Sequence, residues 1–194
     1  TFVIFALVLE SFAHEYFLSG TTALSQAILN NPFLYAIYGG LAAGIFEEFG
    51  RFLCMMTVMK RFIYRRENSI IYGIGHGGIE AVILGSFSML QNLMIAIALN
   101  DYGSVEAYAG QASSPEAAAS VTSLLNTLID TPTSSYILSG VERMAALVLQ
   151  IALSVLVYKA VVRKKYAYIL VPIALHALID VIAVFYQTGL VTNL

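Results

Sequence analysis

Basic residues in this chain are almost confined to two short stretches, and the sequence between them is apolar over lengths that a soluble fold cannot cover. Of the ten Lys and Arg, eight fall in Lys60, Arg61, Arg65 and Arg66 and in Lys159, Arg163, Lys164 and Lys165. The remaining two, Arg51 and Arg143, lie inside long apolar segments beside glutamates. Hydrophobic residues make up 59% of the chain and charged residues 11%, with mean hydropathy +0.79. That balance would coat a soluble domain in apolar surface. The apolar runs reach roughly 20 residues, the length at which a helix crosses a ~30 Å hydrocarbon core, and they lack the alternation of barrel strands. An all-α, polytopic transmembrane helical bundle with at least five spans is therefore expected, an integral membrane protein in contact with the lipid bilayer.

The expected spans cover about residues 2–18, 33–59, 69–99, 136–159 and 166–187 of a single transmembrane domain, 1–194. The second and third exceed the ~20 residues a span needs, so each must tilt, break or project beyond the lipid. By the positive-inside rule the basic loops 60–66 and 159–165 are cytoplasmic. The loops 19–32 and 100–135 contain no Lys or Arg and alternate to the other side. Thr1 opens directly onto an apolar run, without Met, basic n-region or cleavage site, so this stretch is not expected to be a signal peptide. The expectation is a longer protein with an N-terminal segment ahead of Thr1. A net charge of −2, with no basic stretch outside the two loops, argues against nucleic acid as a partner. Cys54 is the single cysteine, so no intrachain disulfide forms.

Within loop 100–135, Ser114, Pro115 and Glu116 read as N-cap, first-turn proline and dipole-complementing acid. Val121, Leu124, Leu125, Leu128 and Ile129 then recur at helical spacing, which predicts a short amphipathic helix on the outer membrane surface. It reads first as a packed connector and second as a gate over a site. Glycines gather at Gly39, Gly40 and Gly44, and again at Gly73, Gly75, Gly77 and Gly78. The first group is expected to let two helix backbones approach closely. The second surrounds His76 and suits close approach of a ligand to the backbone.

Ionisable residues inside the spans come in helical pairs: Glu47 and Glu48 with Arg51, His76 with Glu80, Glu142 beside Arg143, and His176 with Asp180. Spacings of three or four place each such pair on one helix face. Counting ~1.5 Å per residue from the basic loops puts Glu47, Glu48, Glu80, His176 and Asp180 roughly 15 to 21 Å deep, His76 near 10 Å and Glu142–Arg143 near 25 Å. Charge at such depth costs about 2.5 to 3.5 kcal/mol per residue, so these groups must face each other or a water-filled cavity and form a candidate functional site. Glu47 and Glu48 point about 100° apart on a helix, so one can face the cavity while the other pairs with Arg51. A buried carboxylate suits a general base acting on water, and histidines can orient that water or stabilise an oxyanion. His14, one turn after Glu10, reads as an interfacial histidine with a local partner.

Glu47-Glu48-Phe49-Gly50-Arg51, Tyr72-Gly73-Ile74-Gly75-His76 and His176-Ala177-Leu178-Ile179-Asp180 together resemble the three motifs of the CAAX-protease and bacteriocin-processing superfamily, with its PrsW-like members. Of the two resemblances the closer is to the YhfC family of intramembrane peptidases, through Gly75-His76-Gly77-Gly78-Ile79-Glu80, the Glu142-Arg143 pair and the order of spans. The resemblance implies proteolysis of membrane-embedded or lipid-modified peptides in the plasma membrane of a bacterium. Glu47 would be the base, His76 would hold the water, His176 and Asp180 would stabilise the oxyanion, and Glu48 would pair with Arg51. Glu80, Glu142 and Arg143 would support the site. Two departures stand out. Only two residues separate Glu48 from Arg51 where the family has three, which moves Arg51 around the helix, and Asp180 stands where Asn is frequent.

On this reading no cofactor is required. The rival chemistry is a zinc-dependent protease, with His76, His176, Glu47 and Glu80 supplying nitrogen and oxygen ligands. Two further classes are open: a non-catalytic membrane scaffold and a proton-coupled transporter, in which buried Glu, His and Arg are equally natural.

Overall fold

The computed structural model describes residues 1–187, and among these the regular structure is helical, with no strand. Helices α1 (Glu10–Phe17), α2 (Ala23–Asn30), α3 (Pro32–Met56), α4 (Glu67–Glu80), α5 (Ser88–Tyr102), α6 (Val105–Ala109), α7 (Pro115–Asp130), α8 (Thr133–Val162) and α9 (Leu170–Gln187) follow in order. Among the described residues, three helical stretches are long and apolar enough to cross a membrane: Glu67–Tyr102, Thr133–Val162 and Tyr166–Tyr186. They correspond to the third, fourth and fifth expected spans. The chain is thus a helical membrane protein. At 25 residues α3 has the length of a span, but Glu47, Glu48 and Arg51 lower its hydropathy. The first expected span becomes a π-helical stretch, Val3–Leu9, running into α1, together shorter than the ~20 residues of a perpendicular crossing.

Two compact units divide the chain: Thr1–Gly77 with the residues from Val148 onward, and Gly78–Leu147. In the first, α2 occupies a stretch expected to be loop. It starts with a capping box in which the Thr22 hydroxyl accepts from the Ser25 N–H and the Ser25 hydroxyl accepts from the Thr22 N–H, each at 3.0 Å. Serine in place of the usual Glu or Gln made this start hard to read. Asn31 starts α3, its Oδ1 accepting from the N–H groups of Phe33 at 3.0 Å and Leu34 at 3.3 Å, ahead of Pro32 in the first turn.

The main packing of this unit joins α3 to α9. A Cβ on Gly40 would lie 2.5 Å from the Ala177 carbonyl oxygen, and one on Gly44 would lie 2.8 Å from that of Ile173. Only hydrogen at both positions permits this approach, which is the close packing that the four-residue spacing predicts. Gly40→Val is therefore expected to lower the thermal midpoint by about 5 °C through overpacking, whereas Gly39→Ala, whose Cβ meets nothing within 4 Å, should leave it unchanged. Equal effects of the two changes on a detergent melting curve would refute this account. Gly73 similarly seats α4 on α8, where an added Cβ would come within 2.6 Å of Ile151 Cα, while Gly75 faces open space. Met55, Val157 and Val161 form a core with Phe52, Met59 and Ile63.

In the second unit a π-helical stretch, Ala81–Phe87, precedes α5, which ends at Gly103 in the left-handed region (φ +77°), as a helix C-terminus commonly requires. The segment expected as an extended polar loop holds α6 as well as the predicted amphipathic helix, α7. Ser114 caps α7 by accepting from the Ala117 N–H at 3.1 Å. The Glu116 carboxyl is held below its usual range by its backbone N–H at the helix start and by the Ser114 hydroxyl.

Candidate active site

All the charged side chains that α3 carries deep in its second half are buried: Glu47 is 6% exposed, Glu48 and Arg51 fully enclosed. Successive positions on one helix send the two glutamates to different partners. Glu47 Oε2 lies 2.9 Å from His76 Nε2 of α4 and accepts from Gln150 Nε2 of α8 at 3.1 Å. Glu48 Oε1 lies 2.9 Å from His176 Nδ1 of α9 and 3.4 Å from Arg51 Nη2. The shortened spacing before Arg51 thus keeps the ion pair, because residues three apart still neighbour each other on a helix. His176 Nε2 approaches Asp180 Oδ2 at 3.5 Å, so this ring stands between two carboxylates. Burial of this many ions requires such pairing, since an uncompensated charge at this depth would cost several kcal/mol.

His76 is fixed from its other side. Its Nδ1 is 3.2 Å from the Thr1 hydroxyl, which also bonds the Tyr72 hydroxyl, and the Phe2 ring stands edge-on to it with centroids 5.7 Å apart. A histidine with one nitrogen anchored and the other turned toward a carboxylate is the arrangement found around metal ligands as well as general bases. Glu48 Oε2 has no hydrogen-bond partner, an orphaned acceptor in the interior of the site.

Of the expected site residues, the first unit brings together Glu47, Glu48, Arg51, His76, His176 and Asp180. In the second, Arg143 joins Glu80 and Glu142. There Arg143 Nη1 is 3.4 Å from Glu80 Oε1, and its Nε donates to Glu142 Oε2 at 2.8 Å while Nη2 bonds the other carboxylate oxygen. Gln150 and Ser154 were missed by sequence reasoning. Arg51 Nη1 donates to the Gln150 carbonyl at 2.8 Å and to Ser154 Oγ at 3.0 Å, and Nη2 donates to Gln150 Oε1. Their signal was two polar residues four apart in an otherwise apolar run, Ala145–Val157. Glu10 is also buried, with His14 Nε2 at 3.4 Å, and His14 Nδ1 lies 2.8 Å from the Tyr38 hydroxyl, so the local partnership of His14 is present.

Over residues 1–194 the chain matches the family described as YhfC intramembrane metalloprotease. A protein of Bacillus subtilis (strain 168), "Uncharacterized membrane protein YhfC", is 37% identical over 193 residues, covering 100% of this chain and 72% of that protein. No solved structure matches. A family match that runs the whole length, over a helical membrane protein with two glutamate–histidine pairs enclosed in one unit, settles the affiliation: this chain belongs to the YhfC intramembrane metalloprotease family.

Proposed function

We propose that the chain is an intramembrane endopeptidase whose hydrolytic centre is the Glu47–His76 pair and whose cofactor is zinc. The observation that carries this reading is the 2.9 Å contact between Glu47 Oε2 and His76 Nε2, both buried, in a chain of this family. The residues present fit the metal. An imidazole nitrogen and a carboxylate oxygen converge, and the second ring nitrogen is anchored by Thr1. His76 and Glu47 would hold the ion. When bound, zinc supplies a Lewis acid that polarises a carbonyl and lowers the pKa of water.

The side chains themselves supply the rest. One carboxylate oxygen of Glu47 is left to accept the proton of the attacking water, the carboxylate being held in orientation by Gln150. His176, anchored through Nδ1 on Glu48, has its longer contact at Nε2, and that N–H is placed to bond the substrate carbonyl oxygen as it gains charge. Asp180 orients the ring. Arg51 neutralises Glu48 and binds α3 to α8. The substrates are membrane-embedded or lipid-modified peptides, and loops 60–66 and 159–165 face the cytoplasm of the plasma membrane. One observation favours a second reading, metal-free hydrolysis: at 2.9 Å the Glu47–His76 contact is complete as a hydrogen bond without an ion.

The test is cleavage of transmembrane and prenylated peptides by the purified full chain in liposomes. Wild type should cut, His76→Ala should be slower by about 100-fold or more, and exhaustive chelation should abolish activity that added zinc restores. Equal cleavage by wild type and His76→Ala would refute the site, and activity surviving chelation would select the metal-free reading.

A further inference from the structure

One side chain reaches toward both glutamate–histidine pairs. Gln150 is 2% exposed, and its amide donates through Nε2 to Glu47 Oε2 while its Oε1 accepts from Arg51 Nη2. Arg51 in turn carries Glu48, and Glu48 carries His176. The orientation of the amide is dictated by these neighbours. Turned over, it would set an acceptor against a carboxylate and donors against a guanidinium. The backbone of the same residue is engaged as well, since its carbonyl accepts from Arg51 Nη1 at 2.8 Å and from Ser154 Oγ at 2.8 Å. The helix that presents it cannot drift, because Gly73 of α4 seats against Ile151 Cα, Ser154 Oγ and the Gln150 carbonyl.

We infer that Gln150 is a positioning residue for the reaction, a polar bridge that ties the Glu47–His76 pair to the Arg51–Glu48–His176 group. It aims Glu47 Oε2 at His76 and sets the distance between the group that activates water and the group that receives the oxyanion. Its kinetic consequence rests on the peptidase reading; the bridge itself does not. An apolar residue of the same length fills the space and leaves the carboxylate one donor short. A carboxylate at 150 retains the acceptor for Arg51 but confronts Glu47 with like charge, and changing Glu47 to an amide then restores a donor between the two.

The experiment is a double-mutant cycle on the purified full chain in detergent, read by melting midpoint, with peptide cleavage measured beside it. Glu47→Gln is expected to raise the midpoint by about 5 °C in the Gln150→Glu background and not in the wild-type background. If Gln150→Glu does not fold, recovery of a folded protein in the double variant supports the bridge. If neither folds, the same cycle with Gln150→Met decides, additive effects overturning it. Gln150→Met is expected to lower kcat about 10- to 100-fold with KM within about twofold, as loss of an orienting partner does. Wild-type kcat in Gln150→Met, or the same shift from Glu47→Gln in both backgrounds, overturns the assignment. Coupled midpoints without cleavage by wild type would keep the bridge and remove the peptidase reading.

Discussion

Glu47→Gln is expected to cut peptide turnover by about 1,000-fold while leaving the protein folded, within the range found when a positioned general base is removed. The substitution is nearly isosteric. The introduced amide oxygen, set where Oε2 now lies, can still accept from Gln150 Nε2, 3.1 Å away, and from an N–H on His76 Nε2, 2.9 Å away. What disappears is the negative charge, and with it the capacity to take a proton from water or to ligate a cation strongly. Zinc affinity should therefore fall together with kcat, and the melting midpoint should move little, because both hydrogen bonds persist. The measurement is single-turnover cleavage with a parallel zinc competition assay. Turnover within about tenfold of wild type would remove Glu47 from the chemistry.

Arg51→Met is expected to be the most destabilising single change in the chain, lowering the midpoint by about 10 °C. The guanidinium is fully enclosed and serves Glu48, the Gln150 carbonyl, Gln150 Oε1 and Ser154 Oγ at once. Removing it leaves Glu48 buried beside His176 with one oxygen already unpartnered, a loss that in comparable buried pairs costs about 3–5 kcal/mol. Arg51→Lys retains the charge but not the planar fork, so it should recover only part of the loss. Arg143→Met offers the contrast, since that side chain is 24% exposed and its partner Glu142 is 53% exposed. A midpoint for Arg51→Met no lower than that for Arg143→Met would show that the network contributes nothing to stability.

The contrast between the two arginines shows how much of the site was legible. Both were marked in sequence by their depth among apolar residues, and both do pair with glutamates. Glu48 with Arg51 and His176 with Asp180 follow from helical spacing alone. Glu47 with His76 and Glu48 with His176 do not, because each joins residues on different helices whose rotation about their own axes no local pattern records. Glu80 shows the same limit. Its spacing from His76 is right for one face, yet it pairs with Arg143, sixty-three residues on. Gln150 escaped notice because a neutral amide in an apolar helix reads as a minor blemish until its two partners are known. In the fold, the three most apolar stretches were plain from composition, whereas α2 was hidden by its brevity and by a serine capping box.

By itself the sequence determined that this chain lives in a membrane as helices and that it buries acids, histidines and arginine at depth. Both follow from solvation, since apolar length and unpaired charge carry free energies that no arrangement can alter. Only the tertiary structure decided which acid meets which histidine. That choice depends on helix rotation and separation, and these are set where Gly40 and Gly44 admit the backbone of α9 and Gly73 admits that of α8. A displacement of one residue along either contact would turn Glu47 or Glu48 roughly 100° away from its partner.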